Sequence, residues 1–235
     1  MRPTKKKVLL SATLATLVAA TVISYAAAGK TTPHEPGAPT VSRYEDWVPL
    51  QLVGGLESEP YRPIAELGQT ADVVAIGRFT EFLEVRELGR PPAIAYELPV
   101  VFEPTRVLRG TVDGPLPVEF PVIGRTIEEG VAAYRKALIG PEFLLILRAK
   151  RFVGEEGRYR IVNTYGLWVA TDRHALDAPM AEFDPWGKEI YASTLADARG
   201  SLAALASVAV SLPQLPPPPL PVPSPTADTS VEAAT

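Results

Sequence analysis

The residues of this chain that could do acid–base chemistry are few, and the clearest are two glutamates on predicted strands. Glu103 and Glu119 each lie in a segment rich in apolar residues. Two carboxylates that face one cleft are the usual machinery for hydrolysing a glycosidic bond. Glutamates on the solvent face of a half-exposed sheet are far more common, however. A glycosidase-like hydrolase that uses this carboxylate pair is therefore the alternative hypothesis for function, and no residue is assigned as catalytic.

Metal and nucleophile chemistry have weaker support. The chain has no cysteine, which excludes thiolate nucleophiles, disulfides and zinc–cysteine sites. Its two histidines are His34 and His174. A weak metal site could combine His174 with Asp172 and Asp177, but a loop histidine that faces solvent is the more common arrangement. The sequence also lacks the G-x-S-x-G, Ser-x-x-Lys and His-Glu-x-x-His patterns of hydrolases. We expect no metal and no cofactor.

The elements that must position these side chains are mostly strands. Apolar alternation and continuous apolar runs predict strands over residues 71–82, 93–108, 116–120, 143–147, 158–163 and 167–170. A short helix near Ile64 is expected to stop at Gly68, and a capping box at Thr126 opens a second helix. A last, nearly apolar helix begins at a capping box at Thr194 and ends near Leu212. The pattern predicts a mainly β domain with flanking helices.

Four short segments resemble bacterial exported domains of the netrin-module type. They are Ala71-Asp72-Val73-Val74-x-x-Gly77, Thr105-Arg106-Val107-Leu108-Arg109-Gly110, Gly140-x-x-Phe143-Leu144-Leu145-Ile146-Leu147 and Thr194-Leu195-x-Asp197. The resemblance covers the chain from about Ile64 to Leu205 and implies the OB-like barrel shared with tissue inhibitors of metalloproteinases. Those inhibitors chelate a protease's metal through an N-terminal cysteine, which this chain lacks, so no inhibitory residue carries over. The expected fold is an OB-like barrel of five to six strands closed by a C-terminal helix.

Aromatic side chains give a better lead to a binding site. Trp168 and Tyr165 lie near the end of the predicted sheet, and Trp186 lies in the loop before the last predicted helix. OB barrels bind extended ligands across one face, often through stacking side chains. These three residues are therefore predicted to contact a ligand. The other interpretation is that most of these aromatic residues belong to the core.

The two ends of the chain are predicted to lie outside the barrel domain, which spans residues 58–212. Residues 31–57 contain four prolines and little periodicity, which is typical of a spacer. In the tail, residues 213–235, eight of the thirteen residues from Pro213 to Pro225 are proline. This composition predicts a disordered tail that begins in polyproline II.

Residues 1–30 predict where the protein works. Four basic residues precede a charge-free run from Val8 to Ala28, which is typical of a signal peptide or of an N-terminal membrane anchor. Either one places the rest of the chain outside the cytoplasm, as a secreted or a membrane-anchored protein with its N-terminus inside. If the leader is not cleaved, residues 8–28 are expected to contact the membrane.

Charge narrows the class of partner. Removing those four basic residues lowers Lys+Arg from 23 to 19 against 27 Asp+Glu, a formal charge of −8. An acidic exterior disfavours nucleic acid, so the favoured partner is an envelope protein or a glycan. The leading hypothesis is an exported, envelope-associated, non-enzymatic binding module whose ligand the sequence does not specify.

Overall fold

The computed structural model of the protein describes residues 40–51, 60, 62–152, 154–181 and 200–216. The predicted leader, Trp186, the Thr194 capping box and the end of the proline-rich tail lie outside these described residues. No helix within the described ranges is both long enough and apolar enough to cross a membrane.

Strands dominate the described residues. The strands are β1 (Val73–Phe82), β2 (Arg86–Arg90), β3 (Ala93–Arg109), β4 (Leu116–Pro121), β5 (Phe143–Ala149), β6 (Tyr159–Ile161) and β7 (Leu167–Val169). The α-helices are α1 (Val48–Gln51), α2 (Ile64–Thr70), α3 (Ile127–Leu138) and α4 (Leu202–Ala209). Short 3₁₀ helices cover Tyr44–Trp47, Thr164–Gly166 and Pro179–Ala181. Most predicted strands are present, and β2 is the strand that the sequence did not predict.

Five of the strands close into a barrel. β1 pairs with β3, β3 with β4, β4 with β6 and β6 with β5, and β5 returns to β1. The contact between β4 and β6 is parallel, through Val118 and Tyr159, whereas the other pairings are antiparallel. β2 adds to β3 and β7 adds to β5. This closed, mixed arrangement confirms the predicted mainly β, OB-like barrel.

Alternation along the strands divides the apolar residues into two cores. β1 directs Ala75 and Phe79 into an inner core that fills the barrel, and Val74 and Ile76 into an outer core. β5 contributes to both cores and pairs with β1, β6 and β7. Its burial on both faces explains its continuous apolar sequence and confirms the prediction of a central strand.

Residues 40–51 belong to the folded domain, so the predicted spacer does not extend over them. Trp47 and Leu50 are buried in the inner core, where the Trp47 ring lies 6.2 Å from that of Phe143. The indole Nε1 of Trp47 donates to Ser42 Oγ at 2.7 Å, and Gln51 Nε2 donates to the carbonyl of Pro179 at 2.8 Å. Apolar residues recur about every three positions in this segment, which is a helical spacing. The prediction of a spacer rested on proline content and did not take this spacing into account.

The C-terminal helix α4 covers the outer face of β1 and β5. It packs against α2, and the two helices approach so closely that a Cβ on Gly68 would lie 1.7 Å from the carbonyl oxygen of Ala209. Gly68 was predicted to stop α2, but the helix continues through it to Thr70. The glycine is needed for the contact between helices, because any larger residue would collide with the backbone of α4.

The first residues of the predicted tail also contact the domain. Gln214 Nε2 donates to the carbonyl of Ala71 at 3.0 Å, and the Leu215 backbone N–H donates to the carbonyl of Gln69 at 2.9 Å. Arg109 donates to the carbonyls of Gly68 in α2 and of Val210 and Leu212 after α4. The domain therefore extends beyond the predicted boundary at Leu212, through Leu215.

Candidate ligand-binding face

Five ion pairs between described residues meet on the outer face of β3 and β4. Val118 and Phe120 of β4 lie in the inner core, so Glu119 between them faces outward by strand alternation. In spite of this direction, the side chain of Glu119 is 0% exposed. It is covered by residues from the β2–β3 hairpin and from the β5–β6 loop.

Two arginines bind the same oxygen of Glu119. Arg86 of β2 donates from Nη1 to Glu119 Oε1 at 2.6 Å. Arg158, which immediately precedes β6, donates from its own Nη1 to the same oxygen at 2.6 Å. Hydrogen bonds between ionised groups are the strong ones, and they let a buried carboxylate remain charged.

A lysine binds the other oxygen of Glu119. Lys150 follows β5, and its Nζ lies 2.5 Å from Glu119 Oε2 and 2.5 Å from Glu97 Oε2. Glu155, in the β5–β6 loop, lies 3.6 Å from the same ammonium group. We call these six residues the Glu119 cluster: Arg86, Glu97, Glu119, Lys150, Glu155 and Arg158. Three cations face three carboxylates, so the cluster is electrically balanced.

The pKa values within the cluster follow from burial and from these contacts. Burial alone raises the pKa of Glu119. Its hydrogen bonds with neighbouring side chains outweigh burial and lower the pKa to about 2; the partners, in order of decreasing effect, are Lys150, Arg158, Glu97 and Arg86. Burial also raises the pKa of Glu97; Lys150 lowers it and Glu119 raises it further, with a net increase. Burial lowers the pKa of Lys150, but its two carboxylate partners outweigh burial and raise the value. Glu119 and Lys150 are therefore both charged at neutral pH.

The three carboxylates are close enough to hold a cation. One oxygen from each of Glu97, Glu119 and Glu155 lies within 4.8 Å of the others. The ammonium group of Lys150 already contacts all three carboxylates. The cluster is thus arranged as a network of ion pairs in which the lysine supplies the charge that a metal ion would bring.

The structure does not bring Glu103 to Glu119. Glu119 lies opposite Pro99 in the β3–β4 register, and Glu103 is four residues further along β3. At about 3.3 Å per residue the separation along the strand is about 13 Å, whereas glycosidase carboxylates lie about 5–9.5 Å apart. Glu103 is exposed and pairs in register with Arg78 of β1. The β3 carboxylate that does approach Glu119 is that of Glu97.

Two of the predicted ligand-binding residues lie together in the outer core. Trp168 is 0% exposed and Tyr165 is buried; their ring centroids are 6.0 Å apart. The Trp168 Nε1 donates to the backbone carbonyl of Tyr165 at 2.6 Å. In this arrangement neither ring presents a face to solvent. Trp186, the third predicted residue, lies outside the described residues.

An exposed aromatic residue does lie beside the cluster. Phe152, in the β5–β6 loop, is 65% exposed, and its carbonyl accepts from the backbone N–H of Glu155 at 3.0 Å. Gly154 and Gly157 in the same loop adopt positive φ angles of 84° and 75°. These conformations favour glycine and allow the loop to turn back over β4.

The loop around His174 is held by hydrogen bonds within the loop and to the N-terminal segment. Asp172 Oδ1 accepts from the backbone N–H of Tyr44 at 2.8 Å, and Thr171 Oγ1 lies 3.3 Å from Asp177 Oδ2. The two carboxylates thus accept hydrogen bonds from neighbouring protein groups. Asp172, His174 and Asp177 are not among the groups of described residues whose ligand atoms lie close enough together to hold a metal ion.

The sequence contains one signal that could have located the Glu119 cluster. Glu119 interrupts the otherwise apolar strand β4, and Lys150 follows the most apolar strand, β5. A charge inside or at the end of an apolar strand requires a partner. The identities of the partners depend on pairing between strands, which the sequence alone did not provide.

No family model, no curated protein and no solved structure matches this chain. The chemistry available at the outer face therefore rests on the residues themselves. Arg86 and Arg158 are 26% and 31% exposed, whereas Glu119 beneath them is fully covered. A ligand that reached the Glu119 cluster would meet the guanidinium groups before it met the buried carboxylate.

Proposed function

We propose that this protein is an exported, envelope-associated, non-enzymatic binding module that holds a glycan or an envelope protein. The ligand would lie across the outer face of β3 and β4, between the β2–β3 hairpin and the β5–β6 loop. The observation that carries this proposal is the Glu119 cluster, which gathers charges from four separate segments onto one face. OB barrels use the corresponding face, on their second and third barrel strands, together with the flanking loops for binding.

The contacts of Lys150 favour binding over catalysis. Glu97 and Glu119 have pKa values displaced in opposite directions, as the acid and the nucleophile of a glycosidase do. This observation supports the alternative, a carboxylate-dependent hydrolase, with Glu97 in the place first suggested for Glu103. However, Lys150 Nζ lies 2.5 Å from each carboxylate. A glycosidic bond would have to displace the ammonium group to reach both.

The proposal also includes where the protein is located and which family it resembles. The charged leader followed by an apolar run supports export, with residues 8–28 as a membrane anchor if they are retained. The barrel is the fold that the netrin-type resemblance implied, and membership of that group remains a prediction. The formal charge of −8 after the leader's basic residues are removed supports a partner other than nucleic acid.

Retention on envelope material tests the proposed function. The tagged full chain would be incubated with the isolated envelope fraction of its own host and sedimented, with Arg86→Gln/Arg158→Gln as the test variant. Arg62→Gln, at an exposed position just before α2, is the matched control. We expect the unmodified chain and the control to be retained and the double variant to be lost from the pellet.

The same incubation tests the hydrolase alternative. If the unmodified chain released reducing sugar ends and Glu97→Gln abolished this release, the protein would be a hydrolase and the proposal of a non-enzymatic binding module would be wrong. Equal retention of the double variant and the control would remove the outer face of β3 and β4 from the proposed function.

A further inference from the structure

The two arginines of the Glu119 cluster each have N–H groups that do not bind Glu119. Each guanidinium carries five N–H groups in a rigid fork, and each uses Nη1 to bind Glu119 Oε1. Among the described residues, that carboxylate is the one hydrogen-bond partner of either side chain. Both side chains are also partly open to solvent, at 26% and 31% exposure. The remaining donors are therefore available to a ligand.

Glu119 fixes the position of both guanidinium groups. It is buried and ionised, and it holds one arginine from β2 and another from the start of β6 on a single oxygen atom. Preorganised charged donors bind an oxyanion with less loss of side-chain freedom than mobile surface arginines do. Planar forks of this kind match a carboxylate group, which can accept two parallel N–H bonds.

The local charge favours one added anion at the arginines. Arg86 and Arg158 share one carboxylate, whereas the opposite side of the Glu119 cluster gives Lys150 two further carboxylates, Glu97 and Glu155. The Glu119 cluster is balanced as a whole, but the arginine pair is its positive side. Since the exported chain has a formal charge of −8, a densely charged polyanion would be repelled at long range. A ligand with an isolated carboxylate avoids that repulsion.

We propose that Arg86 and Arg158 form a carboxylate-binding subsite for a sparsely charged glycan, one that carries a single uronic-acid residue among neutral sugars. This inference rests on the proposed function, since it names the ligand class of the same face. A glycan is favoured over a peptide because OB barrels hold oligosaccharides between these two loops. The exposed ring of Phe152, on one of those loops, offers an apolar surface to the C–H face of a neighbouring sugar.

Calorimetry with matched disaccharides tests the proposal. The full chain in detergent micelles would be titrated with a disaccharide that carries one uronic-acid residue and with the methyl ester of the same compound. We expect the ester to bind about tenfold more weakly, because it loses the charge-assisted hydrogen bonds to the arginines. Equal affinity for acid and ester would overturn the proposal.

Lysine variants separate binding from folding. Arg86→Lys/Arg158→Lys keeps two positive charges near Glu119 but removes the planar forks, so we expect an unchanged fold and about tenfold weaker binding of the uronic acid. Arg62→Lys, at an exposed position just before α2, should bind as the unmodified chain does. Unchanged affinity in the double lysine variant, or binding of a glutamate-containing peptide with no binding of the uronic acid, would overturn the proposal. If the disaccharide fails to bind while envelope retention still requires Arg86 and Arg158, the proposed function stands and only the carboxylate subsite fails.

Discussion

The outer face of β3 and β4 and the outer core beneath α2 and α4 are both places where the chain buries large side chains. They differ in what they leave for a ligand. In the outer core, the rings of Trp168 and Tyr165 pack against each other and are enclosed by other apolar residues. On the outer face, Glu119 is buried only because Arg86, Arg158 and Lys150 cover it, and the arginines keep part of their surface open.

Residue type alone did not indicate the surface that we propose for binding. Burial of an aromatic side chain in any available apolar layer stabilises the fold. A tryptophan next to strands is therefore more often part of the core than of a binding surface. A buried carboxylate loses hydration and persists only with several partners. The charged residue inside an apolar strand therefore gave the more specific signal.

The largest expected effect is in the outer core. Trp168→Ala should lower the free energy of unfolding by about 4 kcal/mol, because it leaves a large cavity in the outer core. Phe152→Ala, at the exposed ring beside the Glu119 cluster, should change it by less than about 0.5 kcal/mol. Denaturant titration of both variants checks this contrast. A Trp168→Ala variant that stayed stable but no longer bound envelope material would contradict this contrast, because it would place binding, and not stability, in the outer core.

The next effect distinguishes the two glutamates first considered as a pair. Glu119→Gln should cost about 3 kcal/mol, because three cations lose their shared, buried partner. Glu103→Gln, at an exposed position on β3, should cost less than about 0.5 kcal/mol. Similar losses for both variants in the same denaturant titration would contradict the ion network as the cause.

Stability should also depend on pH through the same carboxylate. The pKa of Glu119 is about 2 in the folded state against an ordinary value of 4.5, so its contribution is present above about pH 4.5 and is lost as the pH falls toward 2. The raised pKa of Glu97 acts in the opposite direction. We expect a net loss of about 1 kcal/mol between pH 5 and pH 3, and a flatter profile for Glu119→Gln. Parallel profiles for the two proteins would show that another group controls the acid response.

The smallest effect lies at the edge of the outer core, where the tail contacts α2. A chain that ends at Leu212 loses the hydrogen bonds from Gln214 and Leu215, and should be about 1 kcal/mol less stable than a chain that ends at Pro216. The chain that ends at Pro216 should match the full protein within about one degree in Tm. Thermal denaturation of the two shortened chains and the full protein measures where the folded domain ends. Identical Tm values for all three would show that the domain ends at Leu212.

Much of the barrel could be predicted because its signals are local. The continuous apolar run of β5 and the alternation of β1 and β3 identified these strands directly, and the capping box at Thr126 opened α3, where its hydroxyl accepts from the backbone N–H of Glu129. β2 was not predicted, because the segment Arg86–Arg90 is largely polar and lacks the apolar pattern of a strand. Its strand conformation comes from pairing with β3, which is a tertiary effect.

The Glu119 cluster could not be predicted for a related reason. Its members come from β2, β3, β4 and the β5–β6 loop, so their proximity depends on register and on how the loop folds back. The sequence offered Glu103 and Glu97 on the same long strand, and only the pairing of Pro99 with Glu119 shows that Glu97 is the nearer one. Trp168 and Tyr165 were placed together by the sequence, but their burial depends on the tertiary packing of the outer core, to which both belong.

The most direct test of the binding surface compares two variants in one assay. Arg86→Gln/Arg158→Gln alters the outer face, and Trp168→Phe alters the outer core while keeping an aromatic ring there. Both would be incubated as tagged full chains with the isolated envelope fraction, after their Tm values are measured. We expect the arginine variant to lose retention and the tryptophan variant to keep it. Loss of retention in Trp168→Phe, with full retention of the arginine variant, would contradict the assignment of the outer face as the binding surface.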